Sequence, residues 1–478
     1  MTAGDKQNME AYDFLVIGAG PAGEKGAAQA AYFGKRVAII EKGNVGGTVV
    51  NTGTLPSKTL RETALYLSGL KQRGLYGVDY TLNKEITVDD LFYRKKFVVD
   101  SHLGLVRENI ARHNIDLFQG VASIEDPSTV RVSRGDGNSF CLRGKCILIA
   151  TGSRAHRAAD VPFDEEYVYD SDTILNLKRI PSSLLVVGAG VIGSEYVTVF
   201  AALGVSVTVV DGGERLLPFV DREIADILLD QIRALGVRVV FGCRVDGIEI
   251  KQNEECVRVS LNGGEEVRTQ AVLFCSGRSG NTGQLGLEKL GVKMGPRGRI
   301  EVNEHFQTSV PNIYAAGDVI GFPALASTSM EQGRVAACHA FGLEYKQCVS
   351  PLVPYGVYTI PEISMVGESE DSLSQKGQSY LIGRAFYKSN PRGQIIGDTA
   401  GLVKLLFSPE DQRLLGVHII GERASELIHI GQACMYFDGT LDFFVQNVFN
   451  FPTLSDAYKY AAYDGLGNLQ RSRERQEN

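Results

Sequence analysis

The chain has 478 residues, 44% hydrophobic and 22% charged, enough for two to four domains at roughly 100–200 residues each. Its net charge of −7 speaks against nucleic acid or an anionic membrane as the main partner, since both call for clustered positive charge. No apolar run nears the ~20 residues of a bilayer span, and the opening MTAGDKQNMEAYDF has no basic region ahead of an apolar one, so a cytoplasmic location is expected.

The first element is an apolar strand, Phe14-Leu15-Val16-Ile17, that runs into Gly18-Ala19-Gly20-Pro21-Ala22-Gly23. An alanine-rich helix follows, then a strand from Arg36 to Ile40 that ends at Glu41. Glycine clusters alone often mark only a tight turn. Here the cluster joins strand to helix, with an acid 23 residues after its first glycine, and that is a dinucleotide-binding context. Gly18 permits the turn, Gly20 admits a pyrophosphate, and Gly23 lets helix and strand pack closely. The helix N-terminus favours the phosphates, and Glu41 can accept from ribose hydroxyls.

Next comes Val45 to Lys58, VGGTVVNTGTLPSK, with Lys58 expected on a helix. Cys141 and Cys146 precede the buried strand Ile147-Leu148-Ile149-Ala150; positions five apart on a strand face opposite ways, so the two are not expected to pair. Eight cysteines in so long a chain do not make a disulfide scaffold, and no metal site is expected. The segment LLVVGAGVIGSEYVTVFAALGVSVTVVD then repeats the first fold without a gap. Gly188, Gly190, Gly193 and Asp211 each lie 170 positions after Gly18, Gly20, Gly23 and Glu41. Two matched copies predict two bound dinucleotides. Asp211 should favour an unphosphorylated ribose; Arg215, the nearest cation in sequence, either offsets it for a 2′-phosphate or is structural.

These motifs resemble those of the flavin-dependent disulfide reductases over nearly the whole chain. Ala150-Thr151-Gly152 is similar to the turn that closes that family's first nucleotide domain, and Val310 to Asp318, VPNIYAAGD, to its second flavin motif. The resemblance implies an α/β protein with two Rossmann-type domains, one for FAD and one for NAD(P), plus a C-terminal α+β dimerisation domain. The expected divisions are 1–155 and 282–346 for FAD, 156–281 for NAD(P), and 347–478 for the interface of a homodimer or larger homo-oligomer. Within this frame Gly18, Gly20, Gly23, Glu41, Thr151, Gly152 and Asp318 would hold FAD, with Asp318 on the ribityl chain. Gly188, Gly190, Gly193, Asp211 and Arg215 would hold a nicotinamide nucleotide. Lys58 and Glu195 would pair beside flavin N5. The charged tail RSRERQEN is expected to be solvated or disordered.

Departures from the family pattern are as informative as the matches. The pattern GGTCxNxGCxPSK carries a redox dithiol, whereas Val49 and Thr54 stand at its two cysteine positions. Lipoamide dehydrogenases also supply a histidine and a glutamate from HPTxxE, and Phe451 and Asp456 occupy those places. Disulfide exchange needs both a thiolate and an acid–base partner, and neither is present at these positions. Hydride transfer between a nicotinamide and flavin needs no protein proton donor.

The stretches NTGTLPSK, Ser276-Gly277-Arg278-Ser279-Gly280-Asn281-Thr282 and Phe449-Asn450-Phe451-Pro452-Thr453 resemble the soluble, Si-face-specific pyridine nucleotide transhydrogenases. That family implies FAD as cofactor, NAD(H) and NADP(H) as substrates, Lys58, Glu195 and Thr54 in the catalytic region, and Gly277 and Arg278 at the cofactors. Its known members keep a cysteine at the position of Val49, but a lone cysteine could form no internal disulfide. One rival is an NAD(P)H diaphorase or quinone reductase, which would prefer a quinone to a second nicotinamide. Another is a non-enzymatic nucleotide-binding subunit, against which Lys58 and Glu195 argue.

Overall fold

The structure is a computed structural model and describes residues 10–69 and 86–477, so the first residues of the chain, read above for a signal, lie outside it. Strand β1 (Glu10–Ile17) leads through Gly18 to Gly20 into helix α1 (Pro21–Tyr32) and on to β2 (Val37–Glu41). Pro21 opens α1, where its fixed φ suits a first turn and its missing N–H costs nothing. Helices α2 (Gly47–Asn51), α3 (Thr54–Leu67) and α4 (Val88–Arg112) follow; Thr87 and Asp90 cap α4 reciprocally. The sheet continues with β3 (Asp116–Gln119), β4 (Val121–Asp126), β5 (Thr129–Ser133) and β6 (Ser139–Ile149). Its order is β3-β2-β1-β6-β5-β4. β1 pairs in parallel with both β2 and β6, so Phe14, Leu15 and Val16 are buried on both faces, which explains their unbroken apolar run.

The second nucleotide fold is reached through β7 (Ser153–Ala155). It contains β8 (Val168–Asp170), β9 (Ser183–Val187), α5 (Val191–Ala202), β10 (Ser206–Asp211), α6 (Arg222–Ala234) and β11 (Arg238–Phe241). An antiparallel sheet of β12 (Val245–Lys251), β13 (Cys256–Leu261) and β14 (Glu266–Thr269) precedes β15 (Ala271–Phe274). The parallel sheet runs β11-β10-β9-β15-β8. The chain leaves by β16 (Arg278–Gly280), which pairs antiparallel with β7. Exit and entry therefore form one two-stranded ribbon, and the second fold is an insertion in the first.

After the short ribbon of β17 (Met294–Gly295) and β18 (Arg299–Ile300), β19 (Ile313–Ala315) joins the first sheet beside the last residues of β6. Helix α7 (Ala326–Ala340) packs on α1 so closely that a Cβ on Gly333 would lie 2.1 Å from the Ala22 carbonyl oxygen.

The C-terminal unit begins with β20 (Tyr355–Val357), β21 (Ile363–Gly367), α8 (Glu370–Gln375), β22 (Leu381–Phe386), α9 (Pro391–Ile396), β23 (Leu402–Phe407) and β24 (Leu414–Ile420). These strands form one antiparallel sheet, β20-β21-β24-β23-β22, covered by α10 (Ala424–Tyr436), α11 (Leu441–Gln446) and α12 (Ala457–Glu477). The charged tail, expected to be solvated or disordered, is helical, with α12 running through RSRERQE, and Arg471, Arg473, Glu474 and Arg475 are exposed.

A buried ionic cluster ties this unit to the second nucleotide fold. Lys404 on β23 is fully buried, with its ammonium 2.8 Å from Asp221, 3.0 Å from Glu223 and in contact with Glu370 at the start of α8. Asp221 is also the N-cap of α6, accepting from the amides of Glu223 and Ile224. His418, opposite Lys404 on β24, bonds through Nε2 to the Glu368 carbonyl at 2.8 Å.

Candidate functional site

The first nucleotide cleft is a cavity of about 710 Å³, inside the roughly 300–1,000 Å³ of small-molecule and cofactor sites. Gly18, Gly20, Glu41, Val49, Thr151, Gly152 and Asp318 all line it. Gly18 takes φ +106, and a Cβ there would meet the Ala150 carbonyl oxygen at 2.4 Å. Gly23 lies behind the loop, where a Cβ would fall 1.9 Å from the Gly18 oxygen. Glu41 accepts from the amides of Ala19 and Gly43, both at 2.8 Å, so its carboxylate is fixed with lone pairs left for ribose hydroxyls. Asp318 is held by the Ser153 hydroxyl at 2.9 Å. The Thr151 Oγ1 is buried and has no hydrogen-bond partner among the described residues, although it lies at the cleft. A buried hydroxyl left open there fits a cleft completed by a polar cofactor.

The second cleft, of about 500 Å³, repeats this construction. Gly188 takes φ +107 under the Cys275 carbonyl, and a Cβ on Gly193 would again fall 1.9 Å from the oxygen of the loop's first glycine. Asp211 accepts from the amides of Ala189 and Gly213, each at 2.6 Å, as Glu41 does in the first fold. Burial pushes the Cys275 thiol well above its usual range, so it is not a thiolate near neutral pH.

Helices α3 and α5 bring Lys58 and Glu195 together, and neither residue lines either cleft. The Lys58 Nζ lies 2.8 and 2.6 Å from the two Glu195 carboxylate oxygens, and Glu195 is buried. The Tyr358 amide donates to Glu195 at 2.9 Å, and the ammonium sits 4.8 Å from the Tyr358 ring centroid. Burial and the charge of Glu362 push the Tyr358 phenol up, so this ring stays neutral. The pair is thus a fixed charge arrangement that crosses from the first fold to the second. Replacing Glu195 by Gln should slow bleaching of the flavin by NAD(P)H roughly ten- to a hundredfold while FAD stays bound, because it changes charge and leaves both glycine loops intact. Stopped-flow absorbance would test this, and an unchanged rate would place Glu195 outside the reacting centre.

Several expected site residues lie elsewhere. Thr54 opens α3 and does not line the first cleft, whereas Val49 does. Arg278 points its guanidinium at Ser153 and Asp172, clamping the β7/β16 ribbon, and lines neither cleft. Gly277 takes φ +100 against Arg297 and leaves Cys275 and Ser276 to line the second cleft. Arg215 donates to the Pro218 carbonyl and meets Asp371 at 3.2 Å, so its charge is spent between α6 and α8. Residues not singled out for the first cleft include Arg154 and Asn281; Asn281 donates to the Thr151 carbonyl at 3.0 Å. Their signal is present in the sequence, since Arg154 sits two residues beyond Ala150-Thr151-Gly152 and Asn281 falls within the stretch from Ser276 to Thr282.

No cysteine pair replaces the dithiol. All eight cysteines are free, and Cys141 and Cys146 both lie on β6. Phe451 is exposed, and Asp456 is a buried acid whose carboxyl burial pushes up. The one metal-capable trio among the described residues, Asp221, Glu223 and Glu370, encloses the Lys404 ammonium. Among the described residues no helix is long and apolar enough to cross a membrane.

Fold and clefts together define a flavoprotein of the disulfide-reductase architecture that has lost its dithiol. The chain matches the family described as pyridine nucleotide-disulphide oxidoreductase over residues 12–333, and that family's dimerisation domain over 353–462. Solved structures of similar shape include the LpdA protein of Mycobacterium tuberculosis (TM-score 0.87, 26% identity, 95% of this chain and 99% of that one). A second is the Cu(II) complex of the HOCl-induced flavoprotein disulfide reductase RclA from Escherichia coli (TM-score 0.86, 29% identity, 95% and 99%). Curated relatives named soluble pyridine nucleotide transhydrogenase match more closely in sequence. Those from Mycobacterium tuberculosis (strain ATCC 25177 / H37Ra) and Marinomonas sp. (strain MWYL1) are 47% and 41% identical, covering 97% and 96% of this chain and 98% and 99% of theirs. The chain belongs to the soluble pyridine nucleotide transhydrogenase family.

Proposed function

We propose that this protein transfers hydride between NADPH and NAD+ through bound FAD, without a redox disulfide. FAD held in the first cleft would supply the hydride-carrying chemistry that links one nicotinamide to another. The chain's part is to hold the two nucleotides and to fix charge between them. Gly18, Gly20, Gly23, Glu41, Thr151, Gly152 and Asp318 would hold FAD, and Gly188, Gly190, Gly193 and Asp211 the nicotinamide nucleotides in turn. Lys58 and Glu195 would set the field at the reacting centre. The observation that carries this reading is the intact Lys58–Glu195 pair, which joins the first fold to the second, together with a first cleft whose dithiol position holds Val49. The groups that hydride exchange uses are present, and those that only disulfide exchange uses are replaced.

The dimerisation domain supports a homodimer. Its exposed apolar side chains, Tyr436, Phe437, Phe443, Val448 and Phe451, are suited to burial against a second copy. A homodimer, or a larger homo-oligomer, in the cytoplasm completes the reading.

The test is direct. Purified yellow protein supplied with NADPH and a thionicotinamide analogue of NAD+ should form the reduced analogue at a steady rate. Fast reduction of a quinone with none of the analogue would identify a quinone reductase instead. No turnover with either acceptor would identify a nucleotide-binding subunit.

A further inference from the structure

A transhydrogenase must accept a nucleotide with a 2′-phosphate and one without it. The second cleft poses that problem sharply, because Asp160, Asp211 and Asp246 line it and would repel a phosphate. Among its described lining residues the one cation is Arg244.

Arg244 is placed for this task by the sheet. β11 runs beside β10 in parallel register, with Asp211 opposite Phe241, so the chain leaving β11 returns alongside the acid that ends β10. The Cys243 amide donates to the Asp211 carbonyl at 3.0 Å, and the Arg244 backbone is locked to Asn262 by two hydrogen bonds. From that anchor the side chain lies over Gly212, where an added Cβ would be 3.2 Å from Nε and 3.3 Å from Cγ. The guanidinium is therefore beside Asp211, where the 2′ position of the adenosine ribose would lie if the acid holds the ribose hydroxyls. Its side chain has no hydrogen bond or ion pair among the described residues, unlike that of Arg215. A free guanidinium matches a phosphate with paired, charge-assisted donors.

We infer that Arg244 is the residue that admits the 2′-phosphate of NADP(H), while Asp211 serves the 2′-hydroxyl of NAD(H). The two nucleotides then share one cleft and are read by neighbouring groups of opposite charge. Without a 2′-phosphate, Arg244 stays solvated and costs NAD(H) little. The assignment rests on the transhydrogenase reading above, which requires one site to take both nucleotides.

Binding separates the two questions. On the FAD-loaded protein, isothermal titration with adenosine 2′,5′-bisphosphate and with 5′-AMP, which differ only in the 2′-phosphate, isolates that group from nicotinamide chemistry. Arg244→Met should weaken the bisphosphate roughly tenfold or more and 5′-AMP by less than about threefold, with Arg244→Lys intermediate. In turnover the KM for NADPH should rise and that for NADH should hold. Arg215→Met should leave the bisphosphate-to-AMP ratio unchanged. Equal weakening of both ligands by Arg244→Met, or an unchanged bisphosphate affinity, would overturn the assignment alone. If the unmutated protein neither bound the bisphosphate nor used NADPH, the transhydrogenase reading would fall with it.

Discussion

Gly193→Ala should yield a protein that is still yellow yet nearly inert toward NAD(P)H, and Gly23→Ala one that fails to retain FAD. Each substitution places a methyl group 1.9 Å from a backbone carbonyl oxygen, Gly188 in one case and Gly18 in the other. A backbone oxygen cannot rotate aside as a side chain can. The loop or the helix must therefore move, and such overpacking costs about 1–3 kcal/mol or more. The same shift pulls the helix N-terminus away from the position where its free amides meet a phosphate. At about 3 kcal/mol the affinity falls more than a hundredfold. Flavin absorbance per chain and NADPH turnover report the two sites separately. Full flavin content in Gly23→Ala, or unaltered turnover in Gly193→Ala, would mean that the loops tolerate what their spacing forbids.

Lys404→Met should be the most destabilising single change outside the clefts, costing about 3–5 kcal/mol. The native ammonium is enclosed by Asp221, Glu223 and Glu370, and its loss leaves Asp221 buried without its cation, while Glu223 keeps Arg384 at 2.8 Å. The pH dependence should change sign as well. Burial alone would raise both carboxyls, but the charges of His418 and Lys404 at Asp221, and the hydrogen bonds of Arg384 and Lys404 at Glu223, outweigh it and hold both below the usual range. Burial also pushes the His418 imidazole below its usual value. A depressed folded pKa means that the unfolded chain takes up the proton first. Unmutated protein should thus lose stability below about pH 6.5 through His418, and further below about pH 4 through the acids. In Lys404→Met the acids repel one another, their folded pKa values rise, and mild acidification stabilises. Thermal inactivation half-lives from pH 5 to 8 would show the reversed slope. A wild-type profile in the variant would show that Lys404 contributes no charge compensation.

The glycine loops were legible because their chemistry is local. Turn, phosphate approach and helix packing are set within six residues, and the closing acid follows at a fixed distance along one strand–helix–strand unit. The pairing of Lys58 with Glu195 was legible because each sits at a set offset inside such a motif. Long side chains at motif edges were not. Arg278 follows a recognised glycine, yet its guanidinium turns to Ser153 and Asp172. Arg215 is nearest to Asp211 in sequence, but Arg244 comes alongside only because β11 lies next to β10. The Lys404 cluster draws on α6, α8 and β23, with His418 beside it on β24, and no pattern in any one segment announces it. The charged tail reads as solvated or disordered from its composition, whereas α12 carries it onward as helix from a buried start at Ala457, Tyr458, Ala461 and Ala462.

The described residues form two dinucleotide folds, and if FAD occupies the first, every nicotinamide must queue at the second. Donor and acceptor then exclude each other, so the rate law is of the ping-pong type, with each substrate inhibiting at high concentration by occupying the form meant for the other. Net flow stops when the reduced-to-oxidised ratios of the two pools stand in balance, whatever their absolute amounts. Such a protein works as an equaliser between two pools rather than as a pump, and its direction in a cell is set by whichever pool is displaced.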